Sequence, residues 1–269
     1  SRLRFSRVIR CSVAMAARRT VVIFDLGGVV ADSPIVGIRS FCRERGLADL
    51  NPFLARSSAW DAFMRGKLRP AGFPQAVHEE CGRVGHAEGA GLGVRGWAEL
   101  LQSISQNGYR PLMLRTLRRL RAAGFRLVAL TNNYDTEPLA DPVEQAKAEA
   151  EHQKFVALFD HFVESRVVGA QNEEERVLVS TASSGRGLSK PDQRFYEHAL
   201  REAGCSAGDA VFLDDIGANL KTAKRMGIHT ILVRNDTDVS FHDALRELQA
   251  LTGVALLDDG EEGQLASRL

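Results

Sequence analysis

The sequence predicts an α/β fold: a doubly wound parallel sheet with a small helical insert after its first strand. Three observations carry this. Short apolar runs that stop at polar residues recur at Thr20–Asp25 (TVVIFD), Arg126–Leu130 (RLVAL), Ala210–Leu213 (AVFL) and His229–Val233 (HTILV). Runs of that length and character read as strands buried on both faces. From residue 109 onward such runs alternate with segments of helical apolar spacing, the pattern of a parallel sheet.

Each element follows from local chemistry. TVVIFD closes on Leu26-Gly27-Gly28, which punctuates a loop. Residues 35–108 hold no apolar strand but several Gly and Pro, and read as short helices forming an insert. Pro111–Ala123 has Pro at its start and Gly124 at its end, both well placed for a helix. RLVAL is closed by Thr131-Asn132-Asn133. Pro142–Phe159 reads as a long charged helix, His161–Glu164 as a short strand, and Pro191–Ala203 as a helix running into Gly204. AVFL is closed by Asp214-Asp215. Leu220–Met226 reads as helical up to Gly227, and Val239–Leu251 as the last helix. The expected organisation is a core of residues 20–34 and 109–257, a helical cap of 35–108, a loop insertion at 170–187, an acidic tail at 258–269, and an extension at 1–19 outside the fold.

The composition bounds the function. A chain of 269 residues has room for a core domain plus a smaller insert. Its 44% hydrophobic and 26% charged residues exclude wholesale disorder. No apolar run approaches the ~18 residues of a membrane span. The net charge is +1, but residues 1–19 hold six Arg and no acid, which leaves the body at −5. A mildly acidic body argues against nucleic acid as a partner, because backbone binding needs a basic surface. Cys11, Cys42, Cys81 and Cys205 lack CxxC spacing and read as reduced thiols, not as a zinc site. The expected compartment is the cytoplasm, or the mitochondrion if the Arg-rich residues 1–19 are a presequence.

The polar residues that end the strands point to a ligand crevice, which in open parallel sheets lies at the carboxyl ends of the strands. Asp25 ends the first, Thr131 and Asn132 the second, and Asp214 and Asp215 a later one. Taken singly, each has a plain structural reading: a helix cap, a turn former or, for Lys190 before Pro191, a surface lysine. Their joint occurrence, each after the right kind of element, is what carries the functional reading.

The segments VVIFDLGGVV (21–30), LTNN (130–133), LSKPDQRFYEHAL (188–200) and FLDDIGANLKTAKRMGIHTI (212–231) resemble the haloacid dehalogenase superfamily of hydrolases. They are similar to the branch that includes the N-terminal phosphatase-like domain of soluble epoxide hydrolase and the domain at the front of acyl-CoA dehydrogenase fusion proteins. The resemblance implies a small phosphorylated substrate and Mg2+ as cofactor. It makes Asp25 the nucleophile that becomes an aspartyl phosphate. The cation falls to the Asp25 carboxylate, the Gly27 carbonyl and Asp215, hard oxygen ligands suited to Mg2+. Asp214 and Asn219 stand around that site and orient Lys190. The Thr131 hydroxyl, the Asn132 backbone N–H and Lys190 take the phosphoryl group, and Lys190 balances its charge. The cap selects the substrate, and in WDAFMRGKLR the candidates are Trp60, Phe63, Arg65, Lys67 and Arg69. Equally, Trp60 and Phe63 suit the interior of the cap, with the charges in water.

Two features depart from the family pattern. Gly27 stands where most phosphatases of the superfamily carry a second Asp, the general acid. Such help is worth roughly 10²–10⁴-fold, and its loss matters least for leaving groups that are already weak bases. A positive φ at Gly27 is one expected obstacle to restoring Asp there. The second departure is the stretch AQNEEERVLVSTASSGRG just before Lys190, which reads as a solvated surface loop. Two rival readings stand beside phosphohydrolysis: a non-catalytic phosphate- or partner-binding domain, and a dehalogenase-like hydrolase. Retention of Asp25, Thr131, Lys190 and Asp215 speaks against the first, and Asp214-Asp215 against the second.

Overall fold

The structure, a computed structural model, describes residues 20–105, 108–134, 141–168, 188–235 and 238–258. Expectations for residues 1–19, for the 170–187 insertion and for the tail past Asp258 fall outside the described residues.

The chain opens with strand β1 (Val21–Phe24) and passes into five cap helices. These are α1 (Pro34–Glu44), α2 (Asn51–Leu54), α3 (Ser58–Met64), α4 (Phe73–Val84) and α5 (Ala87–Ser105). It then returns to the core as α6 (Pro111–Ala122), β2 (Arg126–Thr131), α7 (Pro142–Val156) and β3 (His161–Glu164). The described chain resumes with α8 (Gln193–Glu202), β4 (Ala210–Asp214), α9 (Gly217–Arg225), β5 (His229–Leu232) and α10 (Asp238–Thr252). The strands form one sheet in the order β3-β2-β1-β4-β5, every pair parallel. The fold is the α/β class expected.

Strand β1 lies at the centre of the sheet and is completely buried. Its alternate side chains serve opposite layers, as the two-residue period of a strand requires. Val22 and Phe24 pack against Met113 and Leu117 of α6 and Leu245 and Leu248 of α10. Val21 and Ile23 face Phe195 and Tyr196 of α8 and Ala223 of α9. Each fully buried side chain of this size contributes about 1.5–3 kcal/mol, so the central strand is anchored from both sides.

The cap has a separate apolar interior. Phe63 stacks on Phe73 with ring centroids 4.6 Å apart. Trp97 is fully buried there, its indole N–H donating to the Gly89 carbonyl at 2.9 Å. Helix α5 breaks at Gly93, whose φ of 63° favours glycine. Cys42 and Cys81 are buried free thiols, and burial raises the pKa of both.

Several boundaries differ from expectation, each for a local reason. Helix α8 begins at Gln193 instead of Pro191 because the Asp192 carboxylate caps it, accepting from the Arg194 N–H at 3.0 Å. Helix α7 stops at Val156 instead of Phe159, because the N–H groups of Leu158 and Phe159 tighten onto the carbonyls three residues back, Phe155 and Val156. Asp258, expected in the tail, is held by Arg115 at 3.2 Å and Arg119 at 2.6 Å. Among the described residues no helix is long and apolar enough to cross a membrane.

Candidate active site

The strand order reverses at β1 and β4, and the polar groups gather at the carboxyl ends of these neighbours. Asp25 continues β1, its N–H donating to the Leu213 carbonyl of β4 at 2.9 Å. Asp214 ends β4, and Asp215 follows it. Carboxylate oxygens of Asp25, Asp214 and Asp215 all lie within 4.8 Å of one another.

Lys190 is the cation among them. Far from the surface residue that a lysine before proline suggests, it is 4% exposed. Its ammonium meets Asp25 Oδ1 at 2.7 Å and Asp214 Oδ2 at 2.8 Å. Burial alone would lower its pKa, but Asp214 and Asp25 outweigh burial and raise it, keeping the ammonium charged. Asn132 fixes the lysine from the β2 side. Its side-chain oxygen accepts from the Lys190 N–H at 2.8 Å, and its amide donates to the Lys190 carbonyl at 2.9 Å. Thr131, at the end of β2, is buried beside it.

Asp214 has no exposed surface and its oxygens are taken up by protein donors. Oδ1 accepts from the Ile216 N–H at 2.7 Å and Oδ2 from Lys190. The Asn219 amide reaches both oxygens at 3.0 Å. The Tyr196 hydroxyl in turn donates to the Asn219 carbonyl at 3.0 Å. Asp215 is held differently, by two residues that sequence reasoning missed. Ser33 Oγ donates to its Oδ2 at 3.3 Å, and the Asn235 amide at 3.1 Å. Neither stands in a motif. Ser33 has the sequence look of a helix cap before Pro34, yet its side chain makes no cap bond and turns to Asp215 instead.

The electrostatics of this cluster are unbalanced. Burial first, then the neighbouring carboxylates, push Asp25 up to about 8, against the pull of Lys190. Burial and Asp214 raise Asp215 to about 6. Three acids stand about one ammonium, and the set consists of hard oxygen donors of the kind that Mg2+ or Ca2+ takes.

The loop after β1 makes room for this. Gly28, not Gly27, has the positive φ, 80°. A Cβ at Gly28 would overlap Asp215 Oδ2, so the loop backbone approaches the carboxylate as only glycine permits. At Gly27 the obstacle to a side chain is steric: a Cβ would lie 3.0 Å from Cδ of Pro34.

A cavity of about 390 Å3 opens between core and cap above this cluster. Asp25, Gly27, Thr131, Asn132, Lys190 and Asp215 line its floor. Ile35, Ile38, Leu54, Trp60 and Met64 line its cap wall, which is therefore largely apolar. Of the cap candidates, Trp60 and Arg65 reach the cavity, Arg65 paired with Asp61 at 2.8 Å. Phe63 is fully buried in the cap interior. Lys67 and Arg69 are exposed and do not line the cavity, because they follow the end of α3, where the chain turns away.

A family model of haloacid dehalogenase-like hydrolases matches residues 20–227. The chain belongs to this family. Among named relatives, it is 28% identical over 241 residues to mouse acyl-CoA dehydrogenase family member 10, covering 87% of this chain and 19% of that protein. It is 29% identical over 243 residues to rat bifunctional epoxide hydrolase 2, covering 87% of this chain and 39% of that one. The chain thus spans well under half the length of both. Sesquiterpene phosphatase astK of Aspergillus oryzae is 27% identical over 211 residues, covering 77% of this chain and 85% of that protein. A solved HAD-like hydrolase from Porphyromonas gingivalis shares the fold, with a TM-score of 0.52, 18% identity and coverage of 86% and 98%.

In this hydrolase, Gly28→Ala is expected to lower stability by about 1–2 kcal/mol for the left-handed backbone alone, and further through the overlap with Asp215. Urea denaturation of the two proteins measures it. An unchanged midpoint would show that the loop relaxes freely and that Gly28 is not needed for the close approach.

Proposed function

We propose that the chain is a Mg2+-dependent phosphohydrolase that cleaves small phosphorylated compounds through an aspartyl phosphate on Asp25. The observation that carries this reading is the charge arrangement: the carboxylates of Asp25, Asp214 and Asp215 lie within 4.8 Å of one another, the first two buried and the third half-buried, with one lysine against the buried pair. A dication supplies the positive charge that this set lacks and screens a phosphoryl dianion from the attacking carboxylate. Asp25, the Gly27 carbonyl and Asp215 would hold it. Asp214, saturated by Lys190, Asn219 and the Ile216 N–H, serves to position the lysine.

An oxygen of Asp25 attacks phosphorus and the bond to the leaving oxygen breaks. Thr131 and the Asn132 N–H hold the phosphoryl oxygens, and Lys190 balances their charge in the transition state. Water then attacks the phosphoryl group, releasing phosphate and restoring Asp25. Gly27 offers no proton to the leaving oxygen, so the reaction suits leaving groups that depart as stable anions, such as acyl, enol or aryl oxygens. The apolar cap wall favours a substrate with a hydrocarbon body, and the likeness to a sesquiterpene phosphatase supports this.

Three outcomes test the reading. Asp25→Asn should abolish phosphate release while leaving the unfolding midpoint near that of wild type. Retained turnover would exclude Asp25 as nucleophile.

Mg2+ at ten times its Kd should stabilise the wild-type protein by about 1.4 kcal/mol, a rise of roughly 3–6 °C in melting temperature for a domain of this size. Asp215→Asn should lose most of that rise. An equal shift in both proteins would place the cation elsewhere.

Without a protein acid, rate should fall steeply as leaving-group pKa rises. A series of aryl phosphates followed by phosphate release measures the slope. A flat dependence, with good turnover of alkyl esters, would mean that another group supplies the proton.

A further inference from the structure

Helix α3 carries much of the cavity's cap wall, and both of its ends are tied down. At the N-terminal end, Glu80 of α4 is 7% exposed and accepts four hydrogen bonds. They come from Ser57 Oγ at 2.5 Å, Ser58 Oγ at 2.7 Å, and the N–H groups of Ser58 at 2.8 Å and Ala59 at 3.0 Å. Ser57 Oγ also accepts from the Trp60 N–H at 3.1 Å. The free N–H groups that open any helix are thus satisfied from inside the cap.

The C-terminal end is tied to the core. Ser165, in the turn after β3, is 1% exposed. Its hydroxyl donates to the Met64 carbonyl, the last residue of α3, at 2.9 Å. The same oxygen accepts from the Asn133 N–H at 3.0 Å, and the Ser165 N–H donates to the Thr131 carbonyl at 3.0 Å. One side chain therefore bridges the cap helix and the loop that carries Thr131 and Asn132. Glu164 steadies the bridge, accepting from the Asn133 amide at 2.7 Å and from Arg166 at 2.8 Å. Tyr134, next in that loop, stacks on Phe63 of α3 with centroids 4.4 Å apart.

We infer that Ser165 is a positioning residue that holds α3, and with it the apolar wall of the cavity, in register with the phosphate-binding loop. The inference rests on the reading of this cavity as a substrate site. Its consequence is selective. A ligand that is little more than a phosphate touches the floor alone. A ligand with a hydrocarbon body also touches Trp60 and Met64, and its affinity depends on where α3 stands.

The test compares binding of methylphosphonate and octylphosphonate in the presence of Mg2+ by calorimetry, with no turnover required. Wild type should prefer the octyl compound. Ser165→Ala should cut that preference about tenfold, the effect of about one lost hydrogen bond, with methylphosphonate affinity changed less than twofold. Tyr134→Leu, which removes the stack on Phe63 and leaves the hydroxyl bridge, should cut it in the same direction and serves if the alanine variant does not fold. An unchanged preference, or an equal loss for both ligands, overturns the inference. A selective loss in a protein that hydrolyses nothing keeps the inference and removes the phosphohydrolase reading. A wild-type protein that binds neither compound overturns the inference.

Discussion

The structure turns on one buried ammonium. Lys190 sits between Asp25 and Asp214 at the junction of two central strands, and all three are nearly free of solvent. Removing such charges from water costs several kcal/mol per ion, recovered only when geometry and hydrogen bonding are good. The neighbouring residues read as the means of meeting that cost. Asn132 holds both backbone polar groups of Lys190, and Asn219 and the Ile216 N–H complete Asp214. The sheet register places Asp25 beside Leu213 and so beside Asp214. Even then the charges do not balance, because Asp215 adds a third carboxylate. The dication proposed for this site is what would remove that imbalance.

This explains which parts of the molecule were legible in the sequence. A strand buried on both faces must be apolar, and it must stop where the backbone meets polar work. The ends of TVVIFD, RLVAL and AVFL therefore announced both the sheet and the crevice above it. Helix starts were less legible. Helix α8 starts two residues beyond the proline expected to open it, because the residue after that proline, Asp192, supplies the side-chain acceptor that caps the first turn. Ser33, Asn235 and Ser165 were not legible at all. Each is a single polar residue in a connection, and its partner is 182, 20 or 101 residues away. No periodicity records such a pairing. It exists only once the connections have been brought together by the folded sheet and, for Ser165, by the cap laid on it.

The two glycines after Asp25 show the same limit at closer range. Sequence reading treated them as punctuation and attached the unusual backbone to Gly27. The structure separates their roles. Gly28 has the left-handed φ and the close approach to Asp215, so it serves the carboxylate cluster. Gly27 lines the cavity, and the space a side chain would need is bounded by Pro34 at the head of α1. Position 27 is therefore coupled to the cap: the proline that opens the first cap helix stands 3.0 Å from where a Cβ at Gly27 would lie.

In the proposed function, that coupling links the chemistry to the choice of substrate. The floor of the cavity presents charge and hydrogen-bond donors, while its roof presents Ile35, Ile38, Leu54 and Met64. A compound that fits both ends has a compact anionic head and an apolar body. In the proposed reaction the phosphoryl head passes to Asp25 and the oxygen of the body leaves without a proton from position 27, which favours linkages whose oxygen departs as a weak base. Under the proposed function, reactivity is thus restricted by a backbone position on the core, and shape by the cap helices. The two restrictions meet at Pro34, which touches the first and begins the second. A cap that shifted relative to the sheet would alter both at once. On this reading the contacts that dock α3 on the core bear on the reaction as well as on recognition.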